Sequence, residues 1–348
     1  MEQRSSLDAR VQQLRFVLPR VPEEGLERLA RSLWTTEHGR SVDLRTPFAN
    51  SQPREEVAER MEAAIGHTAY KELEEIDAHE RSKLGPLSIM LPYVDREEDV
   101  LKYGKQHFDP NSTVLRTAVN AVASILPLSS LRSASYSTAY DLMPKDTSMG
   151  LPWVTRDRMY ANDYLHRATQ IESPDDIYPC ILYWRGQQAG PNETKQRVVW
   201  GFDHAETILG ATILYPMLDA LRRKSGFSAW LGDVFVDEAI TDLLNISNGR
   251  RIISMDFSGF DASLSSGLLH EVDSIIAGWF IESDRPRIDL LATIANTVPI
   301  VVPWKLELVG REGGMPSGSV LTNLRDTIAN LIAGFYIGYR SGHTLIRY

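Results

Sequence analysis

The run Arg251-Ile252-Ile253-Ser254-Met255 ends on Asp256, and a Phe-Ser-Gly turn then leads to a second acid, Asp261. A short β-branched, apolar run bounded by a turn predicts a buried strand. Downstream, 263–280 has the spacing of a helix. Residues 298–302 and 306–309 read as two strands flanking Pro303-Trp304, and Gly313-Gly314 opens a helix over 319–339. Strand, helix, paired strands and helix make an α/β (α+β) order, with ligands expected where strand ends meet turns.

Upstream the pattern is more helical. Two helices are expected within 5–35, punctuated by Pro19 and Pro22, and one or two charged helices over 54–83. The latter carry a sparse apolar stripe, as a solvated amphipathic helix does. A helix over 205–223 has enough Ile and Leu to enter a core, with Pro216 able to kink it. Residues 110–200 are mixed and rich in Pro, Gly, Ser and Thr. The N-terminal MEQRSSLDARVQQLRF has no apolar h-region and so does not read as a secretory signal, and the apolar 327–339 is too short to span a bilayer. One cysteine, Cys180, excludes a disulfide framework or a cysteine-rich zinc site. The eight His are scattered and form no metal pattern. Net charge is −9, and the first hundred residues hold 14 Lys/Arg against 20 Asp/Glu. A protein of this balance that binds a polyanion must gather its cations in a channel.

Four constellations carry chemistry. Asp256 projects from the end of the expected strand, where a carboxylate suits a hard cation such as Mg²⁺ that stabilises phosphoryl transfer. Two Asp five apart mean little alone; the strand, turn and small-residue helix start around them give the pair its meaning. In Gly313-Gly314-Met315-Pro316-Ser317-Gly318, the glycines allow close backbone approach to a ligand. Thr322 and Asp326, four apart, share one helix face behind that loop. The run is not a P-loop, since the Lys-Ser/Thr ending is absent. Arg185, then Lys195 and Arg197 in a strand-like run, place cations where alternation puts the last two on one face, fit for a triphosphate. Finally, Thr147-Ser148-Met149-Gly150-Leu151-Pro152 is a turn with hydroxyl donors for a phosphate backbone. Tyr183, Trp184 and Trp200 could stack on bases or fill the core.

In chain order these four resemble motifs G, F, A and B of viral RNA-dependent RNA polymerases, most nearly those of the picobirnavirus type. The resemblance covers roughly 140–348. It implies a right-hand polymerase fold: a helical N-terminal extension over 1–100, fingers with motifs G and F over 101–245, and a partial palm with motifs A and B over 246–348. It also implies roles. Asp256 would bind the catalytic Mg²⁺ or Mn²⁺. Asp261, Ser317, Gly318, Thr322 and Asp326 would read the ribose. Arg185, Lys195 and Arg197 would hold the triphosphate, and Thr147, Ser148, Gly150 and Pro152 would guide the template. Asp at 326, where many positive-strand enzymes have Asn, is similar to double-stranded RNA virus polymerases. An acceptor at Asp261 suits a 2′-hydroxyl and so a ribonucleotide.

RNA template and product, ribonucleoside triphosphates and a viral capsid protein are the implied partners, with no membrane; the implied location is the virion interior or the host cytoplasm. The sequence departs from the family in lacking the Gly-Asp-Asp of motif C, although Leu345-Ile346-Arg347-Tyr348 could begin the strand that leads there. The expectation is therefore of a fragment with little or no turnover. Two other readings stay open: a non-catalytic RNA- or nucleotide-binding protein, and a hydrolase using Asp256 and Asp261 as an acid/base pair.

Overall fold

A computed structural model describes residues 2–41, 51–82, 89–103, 109, 111–187, 190, 193–224, 226–303 and 308–342. The chain begins with a helical hairpin, α1 (Glu2–Val17) and α2 (Glu23–His38). Acidic Glu23 and Glu24 sit in the first turn of α2, where the helix dipole favours them, and Gly39 at φ +70° ends it. Leu26, Leu29, Ala30 and Leu33 recur at helical spacing, and this face is buried against Val11, Leu14 and Leu18.

The expected charged helix is two, α3 (Arg54–Ile65) and α4 (His67–Ser82), broken at Gly66 with φ +85°. They pack on each other, and no described side chain in them is buried. Short α5 (Glu97–Leu101), α6 (Thr113–Ala123), α7 (Tyr136–Leu142) and α8 (Ala161–Ala168) precede the sheet.

Strands β1 (Cys180–Gln187) and β2 (Lys195–Gly201) pair antiparallel, with Arg185 opposite Arg197. Helix α9 (His204–Leu221) follows; it is apolar nearly all round, as a central helix must be, and runs on through Pro216. Its first turn is capped by Asp203, which accepts from the Ala205 N–H at 3.0 Å and is itself held by Arg167 at 2.5 and 3.0 Å. Next come α10 (Asp233–Ser247), the single turn α11 (Phe260–Ser263), α12 (Ser266–Trp279) and α13 (Arg285–Thr297). β3 (Ile300–Val301), β4 (Leu308–Val309) and α14 (Thr322–Arg340) complete the order.

The sheet runs β2-β1-β3-β4, with β1 and β3 parallel and β3 and β4 antiparallel. Alternation along the strands sorts two cores. Cys180, Leu182 and Ile300 join the large core of α9, α12, α13 and α14. Ile181 and Val301 point the other way, into the α1–α2 hairpin. The N-terminal hairpin thus covers one face of the sheet.

The expected strand at 251–255 does not form. The segment takes no ladder partner and is exposed, Ile253 to 74%. A strand exists only where a neighbour takes up its backbone N–H and C=O groups, and no described residue runs beside this one. The helices expected over 263–280 and 319–339 begin three residues later, at Ser266 and Thr322, because Ser265 caps the first and a turn at Ser319 precedes the second. Residues 304–307 and the run Leu345-Ile346-Arg347-Tyr348 lie outside the described residues.

Candidate functional site

β2 has the alternation that the sequence predicts: Lys195 and Arg197 are exposed while Gln196 and Val198 are buried. Because cross-strand partners share a face, Arg185 stands beside Arg197, one strand over. Among the described residues none of the three cations forms an ion pair. Like charges directly opposite one another repel, so this face gathers positive charge in one place.

Lys195 and Arg197 line a cleft of about 680 Å³ whose opposite side is the turn 256–262. Asp256 and Asp261 both line it, and so does Ser317 from the Gly-rich loop. Asp256 is exposed at the end of the extended segment. Asp261 is half-buried in α11, and the Ser317 hydroxyl donates to its Oδ2.

The loop 313–318 is fixed from three sides. Its Met315 N–H donates to the Asp261 carbonyl and its Gly314 N–H to the Leu264 carbonyl, both at 2.7 Å. Its Ser317 carbonyl accepts from the Trp200 N–H at 2.7 Å. Gly318, at φ +137°, lies so near that a Cβ would collide with the Trp200 carbonyl. Any side chain there would push the loop off β2, which is why this position is glycine.

Thr322 and Asp326 stand behind the loop rather than in the cleft wall. The Thr322 hydroxyl donates to the Pro316 carbonyl at 3.2 Å. Asp326 is largely buried; burial and the neighbouring charge of Asp261 push its carboxyl up to about 7. Its Oδ1 has no hydrogen-bond partner.

The turn around Thr147 is built differently. Gly150 and Pro152 are buried: Gly150, at φ +64°, packs on the Phe202 carbonyl, and its own carbonyl accepts from Tyr164 at 3.0 Å. Thr147 and Ser148 are exposed, and Arg158 holds the Thr147 carbonyl at 3.0 Å. None of the four lines the 680 Å³ cleft.

Trp200 is core, 1% exposed; Trp184 is half-buried under the Arg96 guanidinium. Four further residues have no signature in the sequence. Arg311 is a half-buried cation with no ion pair among the described residues: it donates to the Gly313, Gly314 and Ala295 carbonyls and lies 4.6 Å from the Trp200 ring centroid. Burial lowers its guanidinium to about 10. Arg96, Lys102 and Tyr103 line the cleft from a segment that carries no motif. Among the described residues no three His, Cys, Asp or Glu gather as metal ligands.

The order of these elements along the chain matches a known family. The sequence pattern of viral RNA-dependent RNA polymerases fits residues 91–344. The chain belongs to the viral RNA-dependent RNA polymerase family. The family match takes in the segment with Arg96 and Tyr103, which lies N-terminal to all four motifs. A "Potential RNA-dependent RNA polymerase" of human picobirnavirus (strain Human/Thailand/Hy005102/-) is 26% identical over 320 residues, 84% of this chain and 58% of the relative. The "RNA-directed RNA polymerase" of Cryptosporidium parvum virus 1 is 28% identical over 254 residues, 67% of this chain and 47% of the relative. This polymerase-family chain therefore spans about half the length of those relatives. The crystal structure of a human picobirnavirus RNA-dependent RNA polymerase superposes with a TM-score of 0.69 at 23% identity, over 89% of this chain and 62% of the other. That likeness bears out the α/β polymerase fold.

Proposed function

We propose that this chain carries the nucleotide-binding centre of an RNA-directed RNA polymerase, which joins ribonucleoside triphosphates on an RNA template. The observation that carries the reading is convergence: Asp256, Asp261, Ser317, Lys195 and Arg197, far apart in sequence, line one cleft. Lys195 and Arg197, with Arg185 beside them, neutralise the triphosphate. Asp261, Ser317 and Gly318 meet the ribose, with Thr322 and Asp326 supporting them from behind. Thr147 and Ser148 take the template backbone, on a turn shaped by Gly150 and Pro152.

The family is in general metal-dependent. Asp256, one exposed carboxylate, suits a hard cation such as Mg²⁺ or Mn²⁺ as a single oxygen ligand. Among the described residues no three potential ligands gather around it, so no step is derived through the ion. When bound, such an ion stabilises charge on the attacking and leaving oxygens.

Further partners follow from the reading: template and product RNA and, in a virion or host cytoplasm, a capsid protein. No helix of the described residues is long and apolar enough to cross a membrane. A carboxylate-pair hydrolase leaves the cationic face without a task, and Asp256 lacks the burial that makes a carboxyl a general acid.

The test is titration of the chain with Mg²⁺-ATP. Saturable binding that weakens at least tenfold in the Lys195→Ala/Arg197→Ala double variant is expected. Equal affinity in wild type and variant would overturn the proposal.

A further inference from the structure

The Gly-rich loop is held at its start by Arg311. Gly313 and Gly314 turn the chain there with φ of +84° and +71°, values that glycine adopts without strain. Their carbonyls converge on one nitrogen: both accept from Arg311 Nη1, that of Gly314 at 2.7 Å. Arg311 Nη2 donates to the Ala295 carbonyl near the end of α13. The guanidinium also lies over the Trp200 ring of β2. Tyr103 meets that ring edge-on at 5.4 Å and fills the space beside Gly314, where a Cβ would come within 2.7 Å of Tyr103 Cδ1. The turn is thus bolted to a helix, a strand and the segment after α5.

The three carbonyls that Arg311 serves have no other donor among the described residues. Gly313 and Gly314 are buried, and a buried carbonyl needs a partner. Ala295 lacks its helical partner for a covalent reason: the residue four on is Pro299, which has no N–H. A guanidinium spreads its donors over a planar fork and can reach all three, whereas an ammonium is a single point. The N–H groups of the turn are taken as well, that of Gly313 by the Asn296 carbonyl at 3.2 Å and that of Gly314 by the Leu264 carbonyl at 2.7 Å.

We infer that Arg311 is a positioning residue for ribose recognition, fixing the glycine turn from which Ser317 reaches Asp261. The inference rests on the reading of Asp261 as the acceptor for a 2′-hydroxyl. Directly after the turn, the Met315 N–H donates to the Asp261 carbonyl at 2.7 Å, and the Ser317 hydroxyl donates to Asp261 Oδ2. The loop therefore grips Asp261 by backbone and by side chain. Oδ1 has no hydrogen-bond partner among the described residues and is left for a ligand. Arg311 does not line the cleft, so it acts through the loop and not on the nucleotide. Without the guanidinium the two glycines regain their wide conformational freedom. Ser317 then no longer holds Asp261 in one direction, and the advantage of a ligand bearing a 2′-hydroxyl shrinks.

The experiment compares the affinities of ATP and 2′-deoxy-ATP, with Mg²⁺, for the full 348-residue chain. Arg311→Lys keeps the charge and loses the fork. It is expected to reduce the ATP preference about three- to tenfold, the worth of the one hydrogen bond lost between Ser317 and Asp261. Arg311→Gln, which removes the charge and keeps one amide donor, is expected to reduce it as well. A partly unfolded variant binds both nucleotides less in equal measure, so the ratio reports the loop and not the stability. If the effect passes through Ser317, Arg311→Lys adds nothing in a Ser317→Ala background. An unchanged ratio in both Arg311 variants, or effects that multiply in the double variant, overturns the inference. If Asp261→Asn abolishes the preference while the Arg311 variants keep it, Asp261 remains the ribose acceptor and only the role of Arg311 falls. A wild type that binds both nucleotides equally overturns the role of Asp261 and that of Arg311 together.

Discussion

At the scale of single residues, the buried charges behind the cleft carry the largest energies. Arg325 and Asp273 form an ion pair, Nε to Oδ1 at 2.7 Å, with side chains 1% and 5% exposed. Arg325 has two further nitrogens without partners, so the pair is not fully satisfied even when intact. Removing one member leaves the other buried and alone. Asp273→Ala is therefore expected to cost about 3–5 kcal/mol of unfolding free energy, whereas Asp273→Leu/Arg325→Met together cost far less. Urea titration of the two variants checks this; a single variant no worse than the double would sink it. Gly318 illustrates a different constraint. Its φ of +137° and the Trp200 carbonyl exclude a Cβ, so Gly318→Ala is expected to displace the loop and weaken ATP binding at least tenfold. Wild-type affinity in that variant would mean that the loop tolerates a side chain.

At the scale of elements, what was legible in the sequence is what depends on local pattern. The face of α2 and the alternation of β2 both follow from spacing, and both recur in the structure. The cleft residues Asp256, Asp261, Ser317, Lys195 and Arg197 were legible because each sits in a run with its own grammar of glycine, proline and charge. Tyr103 and Arg311 were not, because nothing local distinguishes a tyrosine wedged under a loop from one in any other core. The segment 251–255 shows the opposite failure. Its β-branched pattern is that of a strand, but pattern sets only propensity, and a ladder partner decides the outcome. α10 is similar: Val234, Phe235, Ile240 and Leu244 are all exposed on a helix that buries nothing among the described residues. The register of β1 and β2 carries a prediction of its own. Since Arg185 and Arg197 repel each other, Arg197→Gln is expected to stabilise the ligand-free protein by about a few tenths of a kcal/mol, read as a slightly higher thermal midpoint. The same change reduces the extra stabilisation that ATP confers. Calorimetry with and without ATP separates the two effects, and a lowered midpoint without ligand would contradict the repulsion.

At the scale of the whole molecule, two acids taken wholly or largely out of water tie stability to pH. Glu206 on α9 is 1% exposed, and neither carboxyl oxygen has a hydrogen-bond partner. Burial raises it from the ordinary 4.5 to about 8, with the Arg325 charge opposing. Asp326, raised from 3.8 to about 7, follows the same rule. Each group binds its proton more tightly when folded than when unfolded, so between its two pKa values the folded state holds the extra proton. Stability from these groups is full below about pH 4 and is lost as pH rises to 7 for Asp326 and to 8 for Glu206. The slope is at most about 1.4 kcal/mol per pH unit for each group. Other acids act in the opposite sense: the Glu172 and Ser173 N–H groups donate to the Asp176 carboxylate and hold it below its ordinary value, so its contribution is lost as pH falls. The clean measurement is therefore a difference. Glu206→Gln keeps the shape of the side chain and cannot ionise. Its thermal midpoint is expected to exceed that of the wild type by a margin that grows from pH 5 to pH 8 and then levels off. A constant margin across that range would mean that Glu206 is ionised at pH 5 in the folded protein. Arg325, whose terminal nitrogens lack partners beside it, would then be the group that holds the charge.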